Sequence, residues 1–269
     1  MRRCEFCESP VAADATVCPV CGEEIAEETL ERVLPMLKRP AAPDVRVLST
    51  AERLWGVLRR PNAAYRDIAQ RPDYFGPFVV IVANALILAG FFLTISSKFT
   101  TTVIVNATTG QTARVSVLFA PAGSEFLITA LLSILPNIIL GLVYLVIGSA
   151  FAHLAFKVTG GLGRKGKTAA VVGYSMLPLL LFRLAALLYV FLVMPTYPLG
   201  TTAGPEIINS IFQSDVWLII DYLTTASFVW VGFLLIFGIR EAHNTSTGWA
   251  TLVAIACMLV LTWTFWQAH

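Results

Sequence analysis

Residues 126–156 read FLITALLSILPNIILGLVYLVIGSAFAHLAF and contain no charged side chain. A helix needs about 20 apolar residues to cross a hydrocarbon core of roughly 30 Å, and this stretch exceeds that length. Four further apolar segments carry at most one charge each. The sequence therefore predicts an all-α integral membrane protein. Its five transmembrane helices are expected near residues 77–95, 132–156, 169–193, 216–239 and 249–266.

Charged residues are concentrated at the start of the chain. Of the 269 residues, 57% are apolar and 13% are charged, whereas an average soluble domain is about 25% charged. Residues 1–76 nevertheless hold 11 of the 19 Lys and Arg and 12 of the 17 Asp and Glu. This composition excludes a soluble globular protein, a disordered chain, a coiled coil and a disulfide scaffold. It divides the chain into a head (1–25), an acidic helix with a Pro-rich linker (26–48) and a membrane domain (49–269).

The distribution of Lys and Arg between the loops orients the predicted bundle. Residues 46–71 carry six arginines before the first span, four basic residues lie between the second and third spans, and Arg240 follows the fourth. In a five-span chain these segments share one side, and the opposite side holds only Lys98 and Arg114. Because basic loops remain in the cytosol, the N-terminus is expected there and the C-terminus outside. The N-terminal residues include no apolar run, so no cleavable signal peptide is expected.

A loop hairpin and two prolines depart from the pattern of straight helices. In the outer loop, the β-prone runs 101–105 and 113–117 flank Gly110 and predict a short hairpin. Pro136-Asn137 is a point at which the long second stretch could break, and Pro178 could kink the third span.

The cysteines of the head predict a zinc site. Cys4, Cys7, Cys18 and Cys21 have the spacing C-x2-C-x10-C-x2-C, and two such pairs supply four thiolates to one tetrahedral ion. Two disulfides are the alternative, which a reducing cytosol disfavours. Since all four ligands come from the protein, the site is closed, and one structural zinc for folding or recognition is expected. The segment resembles the minimal zinc ribbons at the N-termini of many prokaryotic membrane proteins.

Two short amphipathic helices are predicted between the linker and the first span. Ser49-Thr50-Ala51-Glu52 is a capping box that opens the first helix. We expect Leu54, Trp55, Val57 and Leu58 on its apolar side and Arg53, Arg59 and Arg60 on a basic side. Pro61 starts the second helix, with Ala64, Tyr65 and Ile68 inward and Arg66 outward. Basic amphipathic helices lie well on the cytosolic leaflet, and packing beneath the bundle is a compatible alternative.

Residues 161–168 read GLGRKGKT and match the phosphate-loop pattern G-x4-G-K-T. A phosphate loop follows a buried strand, whereas this segment lies between two predicted membrane spans. We therefore expect no nucleotide and no nucleic acid. The basic residues of this loop are expected to face lipid headgroups: Arg164, Lys165 and Lys167.

Two segments resemble one family. Residues 73–78, DYFGPF, are similar to the D-L-Y-G-P-F/L signature, and residues 173–178, GYSMLP, are similar to the G-Y-S/C-x-x-P motif, of the Yip family of Ypt/Rab-interacting five-span proteins. Residues 60–68, RPNAAYRDI, resemble the lead-in of its prokaryotic members. The resemblance covers about residues 48–269 and marks six motif residues: Asp73, Gly76, Pro77, Gly173, Tyr174 and Pro178. It implies a membrane-organising role, since eukaryotic relatives are implicated in vesicle budding, fusion and membrane shaping. The zinc ribbon and the Ala- and Leu-rich composition together favour a location in a prokaryotic plasma membrane.

Arg183 and Asp221 are the charges that lie well inside predicted spans. An ionisable group within a membrane is a candidate functional residue, and we expect these two to form an ion pair. The favoured function is a non-enzymatic interaction or scaffold protein, with membrane lipids and a cytosolic or membrane protein as partners. The alternative is a small-solute or ion permease that uses the Arg183–Asp221 site. The sequence contains neither H-E-x-x-H nor G-x-S-x-G, and it leaves the oligomeric state open.

Overall fold

The computed structural model describes residues 2–3, 9–11, 19–21, 47–106, 108–121, 123–158, 163–199 and 204–267. These residues form helices α1 (Thr50–Arg59), α2 (Pro61–Gln70), α3 (Phe75–Ser97), α4 (Gly123–Val158), α5 (Lys165–Ser175), α6 (Leu177–Val193), α7 (Gly204–Phe212), α8 (Asp215–His243) and α9 (Thr247–Gln267). Five helical segments are long and apolar enough to cross a membrane: α3, α4, α5 with α6, α8 and α9. The predicted helical membrane bundle is confirmed, and the chain is an integral membrane protein.

Proline affects the second and third spans differently. The second span is not broken at Pro136, because α4 continues through this residue without interruption. Membrane helices tolerate an interior proline where neighbouring groups and small local adjustments satisfy the freed carbonyl. The third span does break, at Met176, and α6 starts with Pro178 in its first turn, where a missing N–H costs nothing.

Strands form short sheets outside the spans. Near the N-terminus, β1 (Arg2–Arg3) pairs antiparallel with β2 (Pro10–Val11). After α3, β3 (Phe99–Asn106) pairs antiparallel with β4 (Gln111–Ser116), and Gly110 in the turn has φ 67°, which glycine adopts without strain. A third strand, β5 (Tyr197–Pro198), lies parallel to β3 and was not predicted.

The two ends of the bundle are held by different contacts. At the basic end, which comprises residues 47–74, 163–167 and 240–247, Arg240 Nη2 donates to Asn62 Oδ1 over 2.6 Å. At the hairpin end, which comprises residues 98–121 and 194–199, Lys98 Nζ donates to the carbonyl of Phe191 over 2.6 Å. The largest apolar cluster lies toward the basic end and joins α1 and α2 to the spanning helices through Val57, Tyr65, Val171, Leu234 and Ile239.

Helices α1 and α2, called here the surface helix pair, form as predicted. The Ser49 hydroxyl accepts from the Glu52 N–H over 3.3 Å, and the Glu52 carboxylate accepts from the Ser49 N–H over 2.8 Å, so the capping box is present. Ala64, Tyr65 and Ile68 are buried, as expected of the inward face of α2. The pair therefore shares the core of the bundle instead of only resting on a lipid surface.

Candidate functional site at the junction of two motifs

Asp73 is the centre of a polar cluster between the surface helix pair and the spans. Its Oδ1 accepts from the backbone N–H of Gly76 over 3.0 Å, in the first turn of α3. Its Oδ2 accepts from the hydroxyl of Tyr174 over 2.7 Å and from Nη1 of Arg53. Burial raises the pKa of Asp73, but the bonds from Gly76, Tyr174 and Arg53 outweigh burial and lower that pKa below its ordinary value. Asp73 is therefore an ionised carboxylate at neutral pH.

Arg53 joins three segments of the chain. Its Nε donates to Asp67 Oδ2 over 2.7 Å while Nη1 reaches Asp73. Only 7% of the Arg53 side chain and 1% of the Asp67 side chain are exposed. Burial lowers the pKa of Arg53, but the bonds to Asp67 and Asp73 outweigh it, and the pKa is raised. The network links α1, α2 and the start of α3.

The predicted basic side of α1 is wrong for Arg53. Arg53 lies one helical turn before Val57, which is fully buried, so the two residues share the inward face. Asp67 lies on the inward face of α2, near Ala64 and Ile68, and its buried carboxylate requires a cation. The sequence signal for this pair is an acidic residue, Asp67, at an inward position of α2, which requires a nearby cation such as Arg53. Arg59 remains exposed and stacks on Trp55, which is itself 58% exposed and not part of a buried apolar side.

The glycines of the two motifs allow α3 and α5 to approach closely. A Cβ atom on Gly76 would lie closer than 3.0 Å to the hydroxyl of Tyr174, and one on Gly173 would lie closer than 3.0 Å to the ring of Pro77. Each motif therefore fills the space that a glycine of the other leaves open. The two segments are about a hundred residues apart in the chain, and the structure places them in direct contact.

A second hydrogen bond connects α2 to the same region. The hydroxyl of Tyr65 and that of Ser175 are 2.7 Å apart, and both residues are fully buried. Burial raises the pKa of Tyr65 well above its ordinary value, so this phenol stays protonated. Sequence analysis placed Tyr65 inward but missed its partner, although Ser175 lies within the third-span motif.

These residues together form the motif junction: Arg53, Tyr65, Asp67, Asp73, Gly76, Pro77, Gly173, Tyr174 and Ser175. Pro178 is buried one turn further along, at the start of α6. Each side-chain polar group of the junction described above is bonded to another group of the chain. Such an arrangement holds the helices in a fixed relation.

Thr168, the last residue of the apparent phosphate loop, lies between two histidines. Its Oγ1 is 2.9 Å from Nε2 of His243 and 3.4 Å from Nδ1 of His153, and the two imidazole rings are 5.7 Å apart. The Thr168 hydroxyl carries one proton and can donate it to only one of the two imidazoles. At least one imidazole must therefore donate an N–H to the hydroxyl oxygen. This cluster connects α4, α5 and α8 at the basic end. Among the basic residues of the loop, Arg164 and Lys165 are exposed, whereas Lys167 is half-buried.

The predicted ion pair between Arg183 and Asp221 is not what the structure shows for Arg183. Its Nη1 donates to Oδ1 of Asn84 on α3. Phe182 packs edge to face against Trp230 of α8, so Arg183 is level with that part of the helix. Asp221 lies nine residues before Trp230, which corresponds to about 13 Å along the helix axis. The ring contact therefore places Arg183 nearer to the level of Trp230 than to that of Asp221.

The predicted zinc ligands Cys4, Cys7 and Cys18 lie outside the described residues, and Cys21 is exposed. Elsewhere in the described ranges, no group of three or more His, Cys, Asp or Glu side chains is arranged to hold a metal. Cys257 is buried in the apolar cluster of the bundle, where it packs against its neighbours.

Comparison with known proteins identifies the family. The family model described as Yip1 domain matches residues 55–267, which include the motif junction from Tyr65 onward and every candidate membrane span. No curated protein and no solved structure matches the chain. The five apolar helices, the two motifs that meet at Asp73 and Tyr174, and this match together show that the chain belongs to the Yip family of membrane proteins.

Proposed function

We propose that this chain is a non-enzymatic membrane protein that acts through interactions, as a scaffold or organiser of membrane components. The observation that carries the proposal is the motif junction. It fixes the surface helix pair to the bundle through buried bonds from Arg53 and Tyr65, and its polar groups are occupied by one another. The pair is therefore a rigid base from which the N-terminal segment can meet a partner.

We place the N-terminus in the cytosol of a prokaryotic cell and the C-terminus outside its plasma membrane. The exposed cations support this orientation. The basic end carries Arg59, Arg60, Arg71, Arg164 and Lys165 at exposed positions, whereas the loops at the hairpin end hold Lys98 and Arg114. Basic residues are retained on the cytosolic side during insertion.

Lipid headgroups are the proposed partners of the loop that resembles a phosphate loop. Arg164 and Lys165 are exposed and available to phosphate oxygens. Thr168, which would hold a magnesium ion in a nucleotide site, is buried and bonded to a histidine. This burial supports lipid contact by the loop over nucleotide binding.

The head is proposed to be a zinc ribbon that presents a recognition surface to a protein partner. The pairing of β1 with β2, on either side of Cys4 and Cys7 in the sequence, supports a compact head. Val20, between the second pair of cysteines, is 67% exposed. An exposed apolar side chain beside the ligands is the kind of group that a partner would cover.

Removal of one zinc ligand is expected to empty the site. The purified full chain should contain about one zinc ion, and Cys21→Ser should reduce this to near zero, because a structural site requires all four ligands. Cys257→Ser is the matched control and should retain zinc, since Cys257 packs within the bundle. Zinc content would be measured by inductively coupled plasma mass spectrometry. Full zinc in Cys21→Ser would contradict the predicted site.

Site-specific photocrosslinking in cells tests the interaction role. A photoreactive amino acid at Val20 should give a discrete protein adduct that disappears when Cys4 and Cys18 are changed to Ser. The control position is Val105 at the hairpin end, which is equally exposed at 66% against 67% for Val20, and it should give no such adduct. Adducts that are the same at both positions, or that persist without the zinc ligands, would contradict a recognition function for the head.

A small permease remains the second candidate because Arg183 is bonded to Asn84 between two spans. The candidate polar site of this second function is therefore the Arg183–Asn84 pair, in place of the Arg183–Asp221 pair. Solute and ion flux into proteoliposomes, with and without Arg183→Ala and Asp221→Ala, separates the two functions. Flux that requires Arg183 would favour a permease, and absence of flux from a folded, zinc-loaded protein would favour the scaffold.

A further inference from the structure

An open groove of about 550 Å³ lies where the turn of the surface helix pair meets α8. Leu58 and Pro61 line it from the turn, and Ala226, Val229, Trp230 and Phe233 line it from the helix. Its volume is within the range of roughly 300–1,000 Å³ that is typical of small-molecule sites. Every side chain named here is apolar, so the groove itself selects hydrocarbon.

The groove lies along a membrane-spanning helix. Its wall from Ala226 to Phe233 covers about 10 Å of helix axis, at 1.5 Å per residue. One leaflet contributes about 15 Å of the hydrocarbon core. Leu58 and Pro61 belong to the surface helix pair, and Asn62 of this pair is bonded to Arg240 at the basic end, so the groove faces the leaflet on that side. An acyl chain of that leaflet has the length and the chemistry to fill it.

The turn that lines the groove carries two positive charges. Arg59 and Arg60 lie in sequence directly between the lining residues Leu58 and Pro61, and both are exposed. Arg59 also stacks on Trp55, with its guanidinium carbon 4.5 Å from the ring centroid. The described residues place no carboxylate in an ion pair with either arginine. An apolar groove whose lining turn carries two exposed cations matches a hydrocarbon chain that carries a negative headgroup.

We propose that this groove binds one anionic phospholipid, with an acyl chain against Trp230 and the phosphate held by Arg59 and Arg60. The proposal needs only the membrane orientation of the basic end and is independent of the zinc head. A zwitterionic lipid would fill the groove equally well, but its headgroup has no net charge to attract the arginines. The site should therefore select headgroup charge and tolerate variation in the chain.

Fluorescence quenching by brominated lipids tests this site. The full chain is reconstituted in phosphatidylcholine vesicles that contain a small, equal fraction of either brominated phosphatidylglycerol or brominated phosphatidylcholine. The Trp230 signal is the difference between the full chain and Trp230→Phe. Two arginines near a phosphate predict about a tenfold or greater preference of Trp230 for the brominated anionic lipid.

Two matched variants distinguish the groove from general surface charge. Arg59→Gln/Arg60→Gln should remove the preference at Trp230, whereas Arg164→Gln/Lys165→Gln removes the same charge at the same end and should retain it. Equal quenching by both lipids, or equal loss in both variants, would overturn the proposal. If neither lipid quenches Trp230, another protein segment covers the groove, and this result also overturns the proposal.

Discussion

Replacing Arg53 with methionine is expected to lower the free energy of unfolding by about 3–5 kcal/mol. The side chain of Asp67 is only 1% exposed, and Arg53 donates to it directly. Without Arg53, this carboxylate is a buried charge that has lost its cation, which is among the most destabilising changes a core can undergo. The measurement is chemical denaturation in micelles, followed by circular dichroism.

A second variant and a control identify the cause of that loss. Arg53→Met/Asp67→Leu removes both charges and should recover a large part of the stability, because an apolar replacement of a whole buried pair is often neutral. Arg59→Met changes an exposed arginine on the same helix and should stay within about 0.5 kcal/mol of the parent. If the double variant is no more stable than Arg53→Met alone, the buried carboxylate is not the cause.

Gly173→Ala is expected to destabilise the bundle by about 1–3 kcal/mol. The new methyl group would meet the ring of Pro77 closer than 3.0 Å. A proline ring at the start of a helix is rigid, so α3 and α5 would have to separate at the motif junction. Denaturation measurements on the parent and the variant give the difference in unfolding free energy.

Gly148→Ala is the matched control for this effect. It also lies in a membrane-spanning helix, but its Cβ would make only an ordinary contact, 3.7 Å from Cγ1 of Val172. Alanine favours a helix over glycine by up to about 1 kcal/mol, so this variant should be neutral or slightly more stable. Equal destabilisation by the two substitutions would show that the close approach at Gly173 has no special role.

Local sequence patterns predict the elements whose structure depends on residues close to one another in the chain. The span bounded by Phe75 and Ser97 follows from apolar length, and α1 begins at Thr50 because Ser49 and Glu52 satisfy its first N–H groups. The inward face of α2 follows from helical periodicity at Tyr65 and Ile68. Each of these features is determined by residues within a few turns of one another.

Features that depend on the register between distant helices were not predictable in the same way. The sequence groups Arg53 with Arg59 and Arg60 on a basic side of α1, whereas its partners in the structure are Asp67 and Asp73. Counting residues from the predicted outer ends of two helices pairs Arg183 with Asp221. The contact of Arg183 with Asn84 on α3 depends on helix packing that one sequence does not display.

The two family motifs form one junction through the bond between Tyr174 and Asp73. A double-mutant cycle with Asp73→Ala and Tyr174→Phe tests it most directly, with the free energy of unfolding measured for the parent, both single variants and the double variant. Two side chains 2.7 Å apart predict a coupling energy of about 0.5–3 kcal/mol. Effects that add to within about 0.3 kcal/mol would contradict the junction.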